Sequence, residues 1–198
     1  MCMVSCPFGA ISDKSQIFQL TRALQEEGSE IIAEIAPAFV GQFGENINPR
    51  NIKAALIELG FKGVHEVALG ADIGAVAEAH HYVEKVVTGE LPFLLTSCCP
   101  SWAMLAKKFF PDLIDQISQE LTPMVATARS IKKEHPNAKV VFIGPCAAKK
   151  LEASRRSVRS DVDFVVTFEE LQAMFDAKEI DLSQYEAESS FHDATGAG

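Results

Sequence analysis

Three features of the sequence predict an α/β fold: a mostly parallel βαβ sheet with helices on both faces. First, the apolar runs Glu30–Val40, Val64–Leu69 and Val140–Ile143 have strand length and little polar alternation, as strands buried on both faces do. Second, the segments between them carry apolar residues at helical spacing. Third, strands and helices alternate, the order that right-handed βαβ crossovers require.

The elements are read in order along the chain. Ile17, Leu20 and Leu24 recur at helical spacing and predict a helix over 12–28. Glu30–Val40 is a strand ending in Ala36-Pro37-Ala38. Pro49 suits a first helical position, Ile52, Ala55, Leu56 and Leu59 form the apolar stripe, and Gly60 ends that helix. A strand follows at Val64–Leu69, a helix at Asp72–Val87 and a strand at Phe93–Ser97. Helices over 101–109 and 118–135, strands over 139–143 and 163–166, and a helix over 168–176 complete the pattern. Trp102 and Phe109 share helical spacing and are read as core.

The chain has 198 residues, 47% of them hydrophobic, enough for one sizeable core. A formal net charge of -9 argues against a nucleic-acid or anionic-membrane surface. No apolar run approaches the roughly 20 residues of a membrane span. Five cysteines, two of them adjacent, make a poor disulfide framework and point to a reducing, cytoplasmic setting with thiolates free for metal. His80 and His81 adjoin on one helix and face different directions, so they lack zinc-ligand spacing.

The chemistry concentrates in three cysteine-bearing segments. Thr96-Ser97-Cys98-Cys99-Pro100-Ser101-Trp102 and Gly144-Pro145-Cys146-Ala147-Ala148-Lys149-Lys150 each follow a predicted strand and precede helix-like sequence. Turns at the carboxyl ends of strands are where open α/β sheets build their sites. Soft thiolates there select iron–sulfur clusters. Near the start, Cys2-Met-Val-Ser-Cys6-Pro7 has the C-x3-C-P spacing that closes a bacterial ferredoxin cluster run. Residues 1–12 are therefore read as the end of a ferredoxin-like 4Fe-4S module, 13–152 as a first lobe, and 153–198 as the start of a second, with the chain cut at both ends.

These motifs resemble the catalytic domain of the iron-only (FeFe) hydrogenases, whose TSCCP-x-W and PC-x-x-K-x-x-E patterns stand here as TSCCPSW and PCAAKKLE. The similarity runs along nearly the whole chain, but no cysteine follows Cys146, so the family's third motif has no counterpart. The resemblance implies an H-cluster, a 4Fe-4S cubane joined to a diiron unit, at which protons plus electrons interconvert with dihydrogen. It implies Cys99 and Cys146 as cubane ligands, Cys2 and Cys6 as ligands of ferredoxin-like clusters, and Cys98 as the proton donor to the open iron. It places Lys149 on a cyanide of the diiron unit, Glu152 beside that lysine, and Ala36-Pro37 in the cyanide-binding turn. It makes Glu78 and Ser118 members of a proton relay.

The sequence departs from the family in three places. His81 stands where the next relay carboxylate belongs, Ala38 where the family often has serine, and Gly144 where it often has methionine. The departures at Ala38 and Gly144 imply a divergent or regulatory branch. The implied partners are a ferredoxin or other redox protein and a C-terminal segment of the same protein that completes the site, with the fragment alone inactive. A non-catalytic relative, either an iron–sulfur assembly protein or a hydrogen or redox sensor, is the rival reading.

Overall fold

The computed structural model describes residues 5–11 and 14–187. Among the described residues four strands form one sheet: β1 (Ile31–Ile35), β2 (Gly63–Glu66), β3 (Lys139–Gly144) and β4 (Phe164–Thr167). Every pairing is parallel, in the order β2-β1-β3-β4. All five residues of β1 are buried, so its two faces are both covered, as predicted for a parallel sheet. The core joins Ile31, Ile35, Val141 and Ile143 of the sheet to α1 (Ile17–Gln25), α2 (Pro49–Leu59), α5 (Pro123–Glu134) and α7 (Phe168–Ala177). Because β4 pairs with β3, residues 164–177 share this sheet and core.

Element ends are set by local chemistry. β1 stops at Ile35 because Pro37 has no N–H for a ladder, and Pro37–Phe39 forms a 3-10 turn instead of extending to Val40. Helix α2 begins with the Asn48–Asn51 capping box and Pro49, and ends at Gly60, whose φ of 116° is in the left-handed region. Helix α3 (Ala68–Tyr82) starts four residues before the predicted Asp72 and runs on as a π-helical turn, Val83–Val87.

One predicted strand is absent. Phe93–Ser97 makes a single bridge, Leu95 to Ile117, and joins no sheet. Pro92 removes a ladder donor beside it, and Phe93 is exposed. Helix α4 (Pro100–Phe109) thus follows an irregular segment. The helix predicted from 118 starts instead at Pro123, a natural first helical residue, leaving residues 116–118 to pair with Leu95. Phe109 is exposed and not core.

Candidate functional site

In the strand order β2-β1-β3-β4 the connections leave β1 in opposite directions, so the crevice between the carboxyl ends of β1 and β3 is the topological switch point. Two turns meet there. The amide of Ala36 donates to the Ile143 carbonyl at 2.8 Å, setting exposed Pro37 beside exposed Pro145 and Cys146. A Cβ on Gly144 would lie 2.5 Å from Phe142 Cε1 and 2.7 Å from Phe142 Cζ. The Phe142 ring therefore occupies the space that a side chain at 144 would use.

Cys98 and Cys99 reach this edge from outside the sheet. Leu95 N–H donates to the Gln116 carbonyl and Ser118 N–H to the Leu95 carbonyl, both at 2.8 Å, which docks the segment beside Ser118. Trp102 Nε1 donates to the Thr96 carbonyl at 3.1 Å. Cys99 then caps α4, with Pro100 in its first turn. The two cysteine turns are joined by Lys149 of α6 (Ala148–Ala153). Its ammonium donates to the Cys98 carbonyl at 2.9 Å and to Glu152 Oε2 at 2.8 Å. Glu152 is buried, and its other oxygen accepts from Thr122 Oγ1 at 2.8 Å.

Behind Cys98 lies a cavity of about 340 Å3 lined by Gly74, Glu78, Ser97, Cys98 and Glu120, among others. It brings Glu78 and Cys98 onto one space. Ser118 is buried beside it, and its hydroxyl accepts from the Glu120 amide at 3.2 Å. His81, one turn beyond Glu78 on α3, does not line the cavity. Glu120 is a lining carboxylate that sequence reading passed over; its place two residues after Ser118 was the available signal.

Glu34 was also passed over. It sits in β1 with no exposed surface and no hydrogen-bond partner for either carboxyl oxygen. Burial holds its carboxyl well above the usual range, the Lys149 charge opposing and the Glu152 charge adding to the shift.

Cys6, Cys98, Cys99 and Cys146 are all free thiols. The amides of Phe8 and Ala10, then those of Ile11 and Gly9, face the Cys6 sulfur and lower its titration below that of an ordinary thiol. Such a nest of N–H groups suits a cluster-bound thiolate. Cys2 lies outside the described residues. Among the described residues no three His, Cys, Asp or Glu side chains converge on one metal position. Cys99 and Cys146 are both exposed free thiols, two where a cubane takes four thiolates. Among the described residues no helix is long and apolar enough to cross a membrane.

Comparisons with known proteins bear on the family and the fold. Iron hydrogenase 1 of Clostridium pasteurianum is 30% identical over 215 residues, covering 97% of this chain and 37% of that protein. The cytosolic Fe-S cluster assembly factor NAR1 of Kluyveromyces lactis is 36% identical over 105 residues, 53% of this chain and 22% of that one. A variant of the FeFe-hydrogenase HydA1 from Chlamydomonas reinhardtii superposes with a TM-score of 0.77 at 25% identity, over 93% of this chain and 52% of that structure. The chain thus spans about half the length of that structure and less of the curated relatives. Residues 29–198 match the family model described as iron only hydrogenase large subunit, C-terminal domain, and the chain belongs to that family.

Proposed function

We propose that this chain is part of an iron-only hydrogenase that reversibly interconverts protons plus electrons with dihydrogen at an H-cluster. The observation that carries the reading is the 2.9 Å bond from Lys149 to the Cys98 carbonyl, which holds the two cysteine turns at one edge of the sheet. Cys99 and Cys146 would supply two of the cubane thiolates, and another segment of the same protein the other two. The bound cluster would supply the electrons and the open iron. Lys149 has three N–H donors, two of them engaged within the described residues. The third is free for a small anionic ligand in the Ala36-Pro37 and Pro145-Cys146 crevice. Glu78 would hold a proton at its carboxylate and pass it through water in the shared cavity to Cys98 Sγ, with Ser118 and His81 farther along the relay. Cys2 and Cys6 would bind ferredoxin-like clusters that receive electrons from a ferredoxin or other redox partner.

Iron and acid-labile sulfide measured after anaerobic reconstitution test this reading. Cys99→Ala and Cys146→Ala should each lower the iron bound, while Cys98→Ala leaves it unchanged. Iron content indifferent to Cys99 and Cys146 refutes the assignment. In the complete parent protein Cys98→Ala should suppress turnover far more than Glu78→Ala or Ser118→Ala, because a water can bridge a gap farther from the metal.

The similarity to NAR1 favours a second reading, a non-catalytic iron–sulfur relative. The parent would then bind iron and evolve no hydrogen. Cys98 weighs against it, since its thiol has no task without a diiron unit.

A further inference from the structure

Glu34 is the one charged residue type in β1, and the fold gives it nothing to bond. Its register partners are His65 on β2 and Phe142 on β3. Phe142 in turn lies under Lys149, whose Nζ is 6.0 Å from the ring centroid. Glu34, Phe142 and Lys149 therefore share one face of the sheet. Two carboxyls flank a single ammonium there, Glu152 bonded to it and Glu34 not.

A fully buried carboxyl without a donor cannot carry charge cheaply. Kept undissociated, Glu34 makes no claim on Lys149, and the ammonium divides its bonds between Glu152 and the Cys98 carbonyl. Were Glu34 ionised, a second buried anion would face the same ammonium, and the solvent-facing carbonyl of Cys98 would be the weaker competitor. We propose that Glu34 is a positioning residue for Lys149: as an undissociated acid it leaves the lysine on the Cys98 turn, and once ionised it draws the lysine inward and unties that turn. The proton leaves to a base in solvent, and the ammonium exchanges its bond to the Cys98 carbonyl for one to the Glu34 carboxylate.

Among the other titratable groups nearby, His65 is the register partner of Glu34 on β2. Lys150 of α6 pairs with Glu170 of α7 at 2.8 Å. On α5, which packs against β1 and β3, Arg129 pairs with Asp161 and Lys132 with Asp163. Burial raises the Glu34 titration in the same sense as the geometry requires.

The inference goes beyond the cluster reading, because its test uses the metal-free full chain. Infrared spectra of the chain with carbon-13-labelled glutamate should show an undissociated carboxylic acid at neutral pH, absent in Glu34→Gln. As pH rises, loss of that band should coincide with a step in the NMR amide shifts of Cys98 and Cys99. Glu34→Gln should lack this step while keeping those of the thiols. Lys149→Met should keep the acid band and lose the linked step. No acid band in the wild type at neutral pH, or a linked step surviving in either variant, overturns the proposal. Should Glu34→Gln fail to fold, the wild-type band and the Lys149→Met comparison still decide it. Failure of cluster loading, by contrast, would count against the hydrogenase reading alone.

Discussion

Helix α3 carries Glu78 to the cavity, yet Gly70 is its single buried residue, so the crossing of α3 over α5 rests on that glycine. A Cβ at 70 would lie 2.3 Å from Thr127 Oγ1, 2.4 Å from the Pro123 carbonyl oxygen and 3.0 Å from the Thr127 amide nitrogen. Two of these atoms are backbone and cannot rotate away. Gly70→Ala gains about 1 kcal/mol of helix propensity. Overpacking costs about 1–3 kcal/mol, with backbone neighbours at the upper end. The expected net loss is about 1–2 kcal/mol, or roughly 2–8 °C in Tm for a chain of this length. Gly74→Ala is the internal control. One turn along the same helix, its Cβ meets nothing nearer than the Leu121 carbonyl at 3.8 Å. That variant should gain about 1 kcal/mol. Urea unfolding of both variants measures the difference, and Gly70→Ala as stable as Gly74→Ala would refute the close helix crossing.

Three further outcomes follow from the site. Glu34 is neutral when folded and ionised when unfolded above the ordinary carboxyl range. The wild type should therefore lose stability as pH rises through that window, by about 1.4 kcal/mol per pH unit while the buried acid persists. Glu34→Gln should flatten the slope, and denaturant midpoints across pH would expose an unchanged one. Thr122→Val strips a hydrogen bond from the buried Glu152 carboxylate and should cost about 1.5–3 kcal/mol, measured by thermal unfolding; a cost near zero means Glu152 does not depend on it. Cys6 should keep reacting with an alkylating reagent at pH values where an ordinary thiol has slowed, since its thiolate is stabilised by the surrounding amides. Site-resolved mass spectrometry reads this, and a Cys6 profile matching a free cysteine removes the amide nest.

The parts of the fold legible in the sequence were those decided locally. Apolar runs without polar alternation marked β1 and β3, and Pro49 with Gly60 bracketed α2. Leu91–Leu95 shows the limit of that signal. It is nearly as apolar as β3, but whether a run becomes a strand depends on the partner it meets, and this one carries Pro92 and meets only Ile117 in a single bridge. The Cys98–Cys99 turn consequently reaches the site through a lysine bond and not through strand geometry. Glu34 was invisible for a different reason. Ile-Ile-Ala-Glu-Ile reads as a buried strand, but only the tertiary fold reveals that no donor reaches the carboxyl of its lone acid. Cys146, Lys149 and Glu152 were legible as a spacing, while the Thr122 hydroxyl that satisfies Glu152 lies 30 residues away and carries no local signature.

The Phe142 ring above Gly144 has a consequence for how this edge of the sheet can change over evolutionary time. Residues 142 and 144 compete for one volume, so neither can vary alone. Enlarging 144 first drives its Cβ into the ring, and trimming 142 first opens a void and strips Lys149 of the surface beneath it. Coupling between such neighbours is typically 0.5–3 kcal/mol. A lineage moving between glycine and methionine at 144 must therefore pass through a weakened intermediate or change both positions together. The floor of the crevice is thus set by the pair and not by either member.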